Sequence, residues 1–353
     1  MEILVFGAGV IGSQYAARLR QAGNMVTLLA RGQRATDLRE HGILLEAANT
    51  GRTETVHVSV KEGLEDDDAY DLAIVAVRDN QIPEVLPILA ANHQTPNLLF
   101  LGNNPAGAGE IVKAVGRERV MVGFGGLGGE RVGRVVRYYA RTGRAYARTY
   151  LGELDGSVSS RLIKTAITLS EARLGPVLVP NMDAWLKTHA AIISPLALAL
   201  YSAGGDNYRL AHTPDSLLLA VRAIRESLNV LSALNIPITP ASYRILAWIP
   251  EPLAVALLRS IVNTQGAEIN ITGHANSARD EMGKVADEFM ELVKASGKPA
   301  YALTELRSWL EPAQPPLERG SASLPQDART LWIGAGALLL LAALGILGGR
   351  RRK

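Results

Sequence analysis

The chain has 353 residues, 48% hydrophobic and 20% charged, with 34 Gly and 17 Pro; this is too long for one core and too apolar for disorder, so two domains are expected. A formal net charge of +3 and only 5% aromatic residues leave few rings on which to stack single strands, and no nucleic-acid partner is expected. The absence of Cys excludes disulfides, thiol nucleophiles and thiolate metal sites. The chain opens MEILVFGAGVIG, with an acidic residue second and no basic leader, so it begins directly as a strand and a cytoplasmic body is expected.

Residues 3–6 form a short apolar run of strand type, followed by Gly7, Ala8, Gly9, Val10, Ile11 and Gly12 and then by apolar residues at helical spacing up to Ala22. In that strand, turn and helix setting, Gly7 permits the tight turn and Gly9 lets a pyrophosphate approach the main chain. Gly12 lets the helix pack on the strand, while the first free N–H groups of the helix face the phosphates. A second strand over residues 25–29 leads to Arg31, where an NAD-specific site usually places a carboxylate. A guanidinium there favours a 2′-phosphate, with Arg34 as a second contact, so NADPH is the expected cofactor.

Residues 71–77 (DLAIVAV) read as a buried parallel strand, 83–91 as a helix, 97–101 as a strand and 106–115 as a helix. Polar residues follow the strands where a doubly wound sheet places its ligand: Arg78 and Gln81 after one, Asn103 and Asn104 after the next. The acidic run at 65–68 reads as a solvated loop and not as a metal site. Arg131, Arg134, Arg137, Arg141, Arg144 and Arg148 recur every few residues, but Gly133, Gly143 and paired Val and Tyr argue for strands that scatter the charges over two faces.

From Asn181 onward the sequence turns helical, with breaks at Pro237, Pro240, Pro250 and Pro252. Lys187 stands near the start of a largely apolar helix, and an ammonium beside apolar surface has the lowered pKa that suits a general acid. Residues 276–296 (NSARDEMGKVADEFMELVKAS) form an amphipathic helix with Met282, Val285, Phe289, Leu292 and Val293 on one side. Glu281 and Lys284 are one turn apart and His274 is two turns before Glu281, so the three share a face. No metal-ligand spacing emerges.

Residues 311–330, rich in Pro and Ser, read as a linker. Residues 331–349 (LWIGAGALLLLAALGILGG) carry no charge and run into Arg350, Arg351, Arg352 and Lys353, so this tail reads as a transmembrane or membrane-associated helix. The expected architecture is therefore an α/β Rossmann-type doubly wound domain over residues 1–175 and an all-helical domain over 181–310, followed by the linker and the hydrophobic helix. The helical half is the expected place of the substrate and of a homodimer contact.

These pieces resemble the ketopantoate reductase family, NADPH-dependent enzymes that reduce a 2-keto acid to a 2-hydroxy acid (2-dehydropantoate 2-reductase-like), over residues 1 to about 305. The resemblance rests on GAGVIG with Arg31 and on DLAIVAVRDNQ, where the family has a strand followed by Lys and then Gln. It rests also on LGNN where the family has LQNG, on WLK followed by PL, and on Gly297 after Glu281. It implies that Gly7, Gly9 and Gly12 bind the pyrophosphate, Arg31 the 2′-phosphate, and that Arg78 stands in for a lysine. Asn103 would lie between nicotinamide and substrate, Lys187 would be the proton donor, and Glu281 would contact the cofactor ribose across the cleft. Glu268 is a competing match whose spacing to the following Gly-x-Pro is wrong.

The family's two asparagines after the lysine stand here as Ala191 and Pro195, and the stretch from Lys187 to Pro195 is one residue shorter than in the family. The substrate clamp is therefore not the standard one. Ser194, Thr188 and His189 are the candidates to replace it, although His189 lies about 200° round the helix from Lys187. The expected activity is NADPH-dependent reduction of a small-molecule keto acid. The alternatives are a membrane-tethered NADPH-binding redox sensor without turnover and a reductase of a different, more apolar ketone.

Overall fold

The computed structural model describes residues 1–140 and 146–327. An eight-stranded sheet runs, in spatial order, through Pro176–Leu178, Thr149–Glu153, Val120–Gly125, Leu98–Leu101, Leu72–Val75, Glu2–Phe6, Met25–Leu29 and Ser59–Lys61. It is parallel except where Thr149–Glu153 runs against Val120–Gly125. The continuous apolar runs of the sequence are its middle strands: Leu72, Ala73, Ile74 and Val75 are fully buried, as befits strands covered on both faces. Each such Leu or Ile contributes about 1.5–3 kcal/mol of burial.

Strand Glu2–Phe6 is flanked by Met25–Leu29 on one side and Leu72–Val75 on the other. The chain builds outward from it, then crosses back to build the other side. This reversal opens a crevice at the carboxyl ends of those strands, the usual place for a ligand in such a sheet. A smaller sheet, Arg52–Val56, Ile43–Ala47, Val135–Tyr138 and Glu130–Val132 in that order, lies beside the glycine-turn helix Val10–Gln21. The arginine-rich stretch is thus partly strand, as its glycines and β-branched pairs predict.

The long helix Met182–Ser202 joins the two halves. Asn181 caps it by accepting the Ala184 N–H at 2.9 Å. Its first turns pack Met182, Trp185 and Leu186 into the core on one face of the sheet, and its last turns pack Leu198, Leu200 and Tyr201 into the helical core with Leu217, Val285 and Phe289. Helices Pro214–Ala233, Glu251–Val262, Arg279–Ser296 and Tyr301–Arg307 complete that second core.

Two expectations are corrected. The helix read over 276–296 is broken at Ala278 (φ −129°, ψ 39°) into Gly273–Ser277 and Arg279–Ser296. Ahead of the break lies a π-helical turn, Glu268–Thr272. The Pro/Ser-rich segment does not hang free over its described part. The Asp215 carboxylate accepts from Ser321 Oγ, Ser323 N and Leu324 N at 2.5–2.9 Å, and Leu317 and Leu324 rest on the helical core. Residues 311–327 are therefore a strap across the helical domain. The hydrophobic stretch 331–349 lies outside the described residues; among the described ones no helix is long and apolar enough to cross a membrane.

Candidate active site

The crevice is one cleft of about 1360 Å³, large for a small substrate alone and sized for an extended cofactor beside it. Its floor is the glycine turn. Gly7 has φ +110°, and a Cβ there would meet the Ala76 carbonyl oxygen at 2.7 Å. A Cβ at Gly12 would overlap the Gly7 carbonyl oxygen at 1.9 Å, whereas one at Gly9 would meet nothing within 4 Å. Gly7 and Gly12 are thus required by close packing of turn and helix, and Gly9 leaves its main chain open to the cleft, which Ala8, Gly9, Val10 and Ile11 line. Gly12 lies buried behind them.

At one end Arg31 stands exposed on the rim with Arg131 opposite. Arg34 is buried and spends its donors on the Ala8 carbonyl (3.3 Å), the Arg134 carbonyl (3.1 Å) and Ser13 Oγ (3.0 Å). Burial, with the charge of Arg131 added, lowers its pKa to about 10. Arg34, expected as a second contact to a 2′-phosphate, lines the cleft and braces the glycine turn through these bonds. Arg131 is a second exposed guanidinium on this rim, a residue set aside in the sequence with the other arginines of its stretch.

In the middle of the cleft, Gln81 lines the wall while its Oε1 accepts the Arg78 N–H at 3.3 Å. Arg78 lines it too, but its guanidinium reaches the other domain, pairing with Asp280 at 3.1 Å and donating to the Ser277 carbonyl. Asn80 Nδ2 donates to Asp280 at 2.7 Å and Lys284 pairs with Asp79 at 2.8 Å. The loop after Leu72–Val75 thereby clasps the start of helix Arg279–Ser296.

At the far end Asn103, 7% exposed, donates from Nδ2 to Glu281 Oε1 at 3.2 Å, and its own Oδ1 is buried with no hydrogen-bond partner among the described residues. Glu281 is 4% exposed. Burial raises its pKa, against the opposing pull of His274 and Asn103. His274 Nε2 stands 4.0 Å from Glu281 Oε2. His189 lines the opposite wall, its ring 4.2 Å from Phe124 and stacked on Trp185 at 5.1 Å; burial and the charge of His274 lower its pKa to about 4. Glu268, the competing glutamate, is bound to Tyr208 Oη at 2.8 Å and does not line the cleft.

Three expected residues are not brought to this point. Lys187 does not line the cleft: its Nζ is paired with Asp183 one turn earlier, beside Gly107. Two residues of helix separate it from His189, about 200° of rotation, so only one of the two can face the opening. Ser194 is buried, its Oγ without a partner among the described residues, and Thr188 is turned to the Ala184 carbonyl at 2.8 Å. The helix instead presents Ile193, Leu196 and Ala197 to the cleft. Among the described residues no cluster of side chains could hold a metal ion.

Residues 3–156 match the family model for ketopantoate reductase PanE/ApbA. A 2-dehydropantoate 2-reductase of Listeria innocua is 24% identical over 238 residues, 67% of this chain and 76% of that protein. Among solved structures, the 2-dehydropantoate 2-reductase of Geobacter metallireducens has a TM-score of 0.73 at 16% identity, covering 89% of this chain and 100% of that one. D-mandelate dehydrogenase, solved with NADH and anilino(oxo)acetate, has a TM-score of 0.71 at 18% identity, covering 88% and 97%. At these identities the structural likeness establishes a shared fold, and it spans both halves of the chain. The family model covers residues 3–156, the half that carries the glycine turn, and this half is similar to ketopantoate reductase PanE/ApbA.

Proposed function

We propose that this protein is an NADPH-dependent oxidoreductase that reduces a 2-keto acid to the 2-hydroxy acid. The observation that carries the reading is the cleft itself: an open glycine turn at one end, and at the other the unpaired Asn103 Oδ1 beside the buried Glu281. The residues present fit a nicotinamide dinucleotide. Gly9 and the start of helix Val10–Gln21 would hold the pyrophosphate, Arg31 and Arg131 a 2′-phosphate, and Asn103 the carboxamide end. When bound, the cofactor supplies the hydride. The protein orients the carbonyl, excludes water with the wall of Phe124, Ile193 and Leu196, and delivers a proton to the oxygen.

The lining by Ile193, Leu196, Ala197 and Met282 favours a keto acid with an apolar side chain. Loss of reduced-nicotinamide absorbance with a panel of 2-keto acids tests the reading. NADPH should be oxidised faster than NADH, and aryl or branched-alkyl keto acids should be preferred. A protein that binds NADPH yet oxidises it with no keto acid is the sensor without turnover, and the reductase reading then fails. From sequence alone the same reading adds a cytoplasmic body, a homodimer contact in the helical half and membrane attachment through residues 331–349. Sedimentation and vesicle flotation of the full chain against a version ending at Asp327 test those additions.

A further inference from the structure

The helical domain leaves one apolar face uncovered among the described residues. Helix Glu251–Val262 buries Val255 and Val262 and turns Leu253, Leu257 and Ile261 outward, each about half exposed. Their spacing of four places the three along one stripe, within about 80° of the helix surface. The 3-10 turn Ala241–Ala247 just ahead of the helix has no buried residue. There Ile245 is 62% exposed, and Trp248, at the join, is 80% exposed. Large apolar side chains left open in such a run mark an interaction surface. Arg244 and Arg259 in the same stretch are exposed, whereas its one carboxylate, Glu251, is buried and held by Arg222 at 2.8 Å. The face is therefore apolar with a basic border and a Trp at its edge, the composition of surfaces that lie in the headgroup layer of an anionic bilayer.

The course of the chain points the same way. Asp327 N donates to Glu251 Oε2 at 2.7 Å, and Arg222 also donates to the Pro325 carbonyl at 2.6 Å. The strap thus delivers the chain to the first residue of the exposed helix. The uncharged stretch 331–349 begins four residues on, a reach of at most about 14 Å. A bilayer that takes up that stretch lies within reach of the face. We propose that the face of Trp248, Leu253, Leu257 and Ile261, bordered by Arg244 and Arg259, rests on an anionic lipid bilayer and orients the helical domain against it. The inference rests on the membrane attachment through residues 331–349 read above. The tail tethers and the face orients: tethering keeps the face at high local concentration beside the lipid, so that a few apolar side chains and two charges suffice. A two-fold pairing of two copies would instead set these arginines against one another, with no exposed carboxylate on the face to answer them.

Site-specific labels on the full chain test this. The sequence has no Cys, so L257C carries a single environment-sensitive fluorophore, and M25C, exposed on the nucleotide-binding sheet, carries the control. The vesicles are phosphatidylcholine with about 30% phosphatidylserine, with and without a lipid-borne quencher. The chain should float with the vesicles. The label at position 257 should shift to the blue and lose roughly half of its emission or more to the quencher, and the label at position 25 should do neither. Adding R244Q and R259Q should raise the lipid concentration needed for quenching about tenfold or more. Flotation with the label at 257 unquenched leaves the tail as the anchor and overturns this proposal alone. Failure to float overturns the proposal and the membrane attachment together. A label at 257 already shielded without lipid, in a chain that sediments as a dimer, gives the face to a second copy and also overturns it.

Discussion

The two ends of the cleft are built in different ways. The nucleotide end is made of main chain within one continuous segment: the glycine turn and the helix behind it, with space for a side chain at Gly9 and none at Gly12. The reactive end is made of side chains carried by separate elements: Asn103 after one strand, His189 on the long helix, His274 and Glu281 on either side of a helix break. Main-chain sites depend on local conformation, so a short motif can specify them. Side-chain sites depend on which face of a helix turns inward, and a single inserted or deleted residue rotates that face by about 100°.

The sharpest way to break this contrast is at the turn. Gly12→Val puts carbon atoms where the Gly7 carbonyl oxygen already sits, so helix and strand must separate. NADPH affinity should fall by more than about 100-fold, roughly 3 kcal/mol, with a visible loss in thermal stability. Gly9→Ala, whose added methyl meets only open space, should leave the melting temperature unchanged and cost affinity alone. Fluorescence titration of NADPH beside a thermal melt separates the two variants. If Gly9→Ala binds as well as wild type, the phosphates do not cross the turn where the motif predicts.

A smaller effect is expected at the rim. Arg31→Ala should weaken NADPH about tenfold to fiftyfold, within the range of a charge-assisted hydrogen bond, and NADH less than about threefold. Arg131→Ala should show the same preference more weakly, because its arm of the cleft is not anchored by a helix start. Equal losses for both cofactors would mean that these guanidiniums serve the fold and not the 2′-phosphate.

Much of the first end was legible in the sequence. The strand, turn and helix order and the close packing at Gly7 and Gly12 follow from steric needs that repeat wherever this turn occurs. The bonds of Arg34 to the turn are a matter of tertiary packing that the sequence does not show, and Arg131 was passed over because its strand belongs to the second sheet. At the other end Glu281 and Asn103 were found by resemblance and do meet, at 3.2 Å. Lys187 was placed by the same resemblance and faces elsewhere. The stretch between Lys187 and Pro195 is one residue short of the family pattern, so the face that points inward is that of His189 and Ile193. His274 was seen to share a face with Glu281, but the π-helical turn and the break at Ala278 that aim it carry no Pro, and periodicity alone could not announce them.

The mildest test asks whether the helical half can be loosened without touching the nucleotide end. Burial would raise the pKa of Asp215, but the hydrogen bonds from Ser321, Leu324 and Ser323 outweigh it and lower the value to about 2 from 3.8. A carboxyl whose folded-state pKa is depressed stabilises the fold above its unfolded value, and that contribution is lost as pH falls from about 3.8 to 2. The shift corresponds to about 2 kcal/mol at neutral pH. D215N should therefore melt roughly 4–8 °C lower at pH 7, and its deficit against wild type should shrink as the pH is taken below 3.8. Truncation before Glu311 should cost at least as much, because it also removes the bonds of Leu317, Gly320 and Asp327 to the helical domain. NADPH affinity should be unchanged in D215N, since Asp215 holds the strap to the helical domain, away from the glycine turn. A parallel loss of cofactor affinity would show that the two ends of the cleft are coupled through the long helix that joins them.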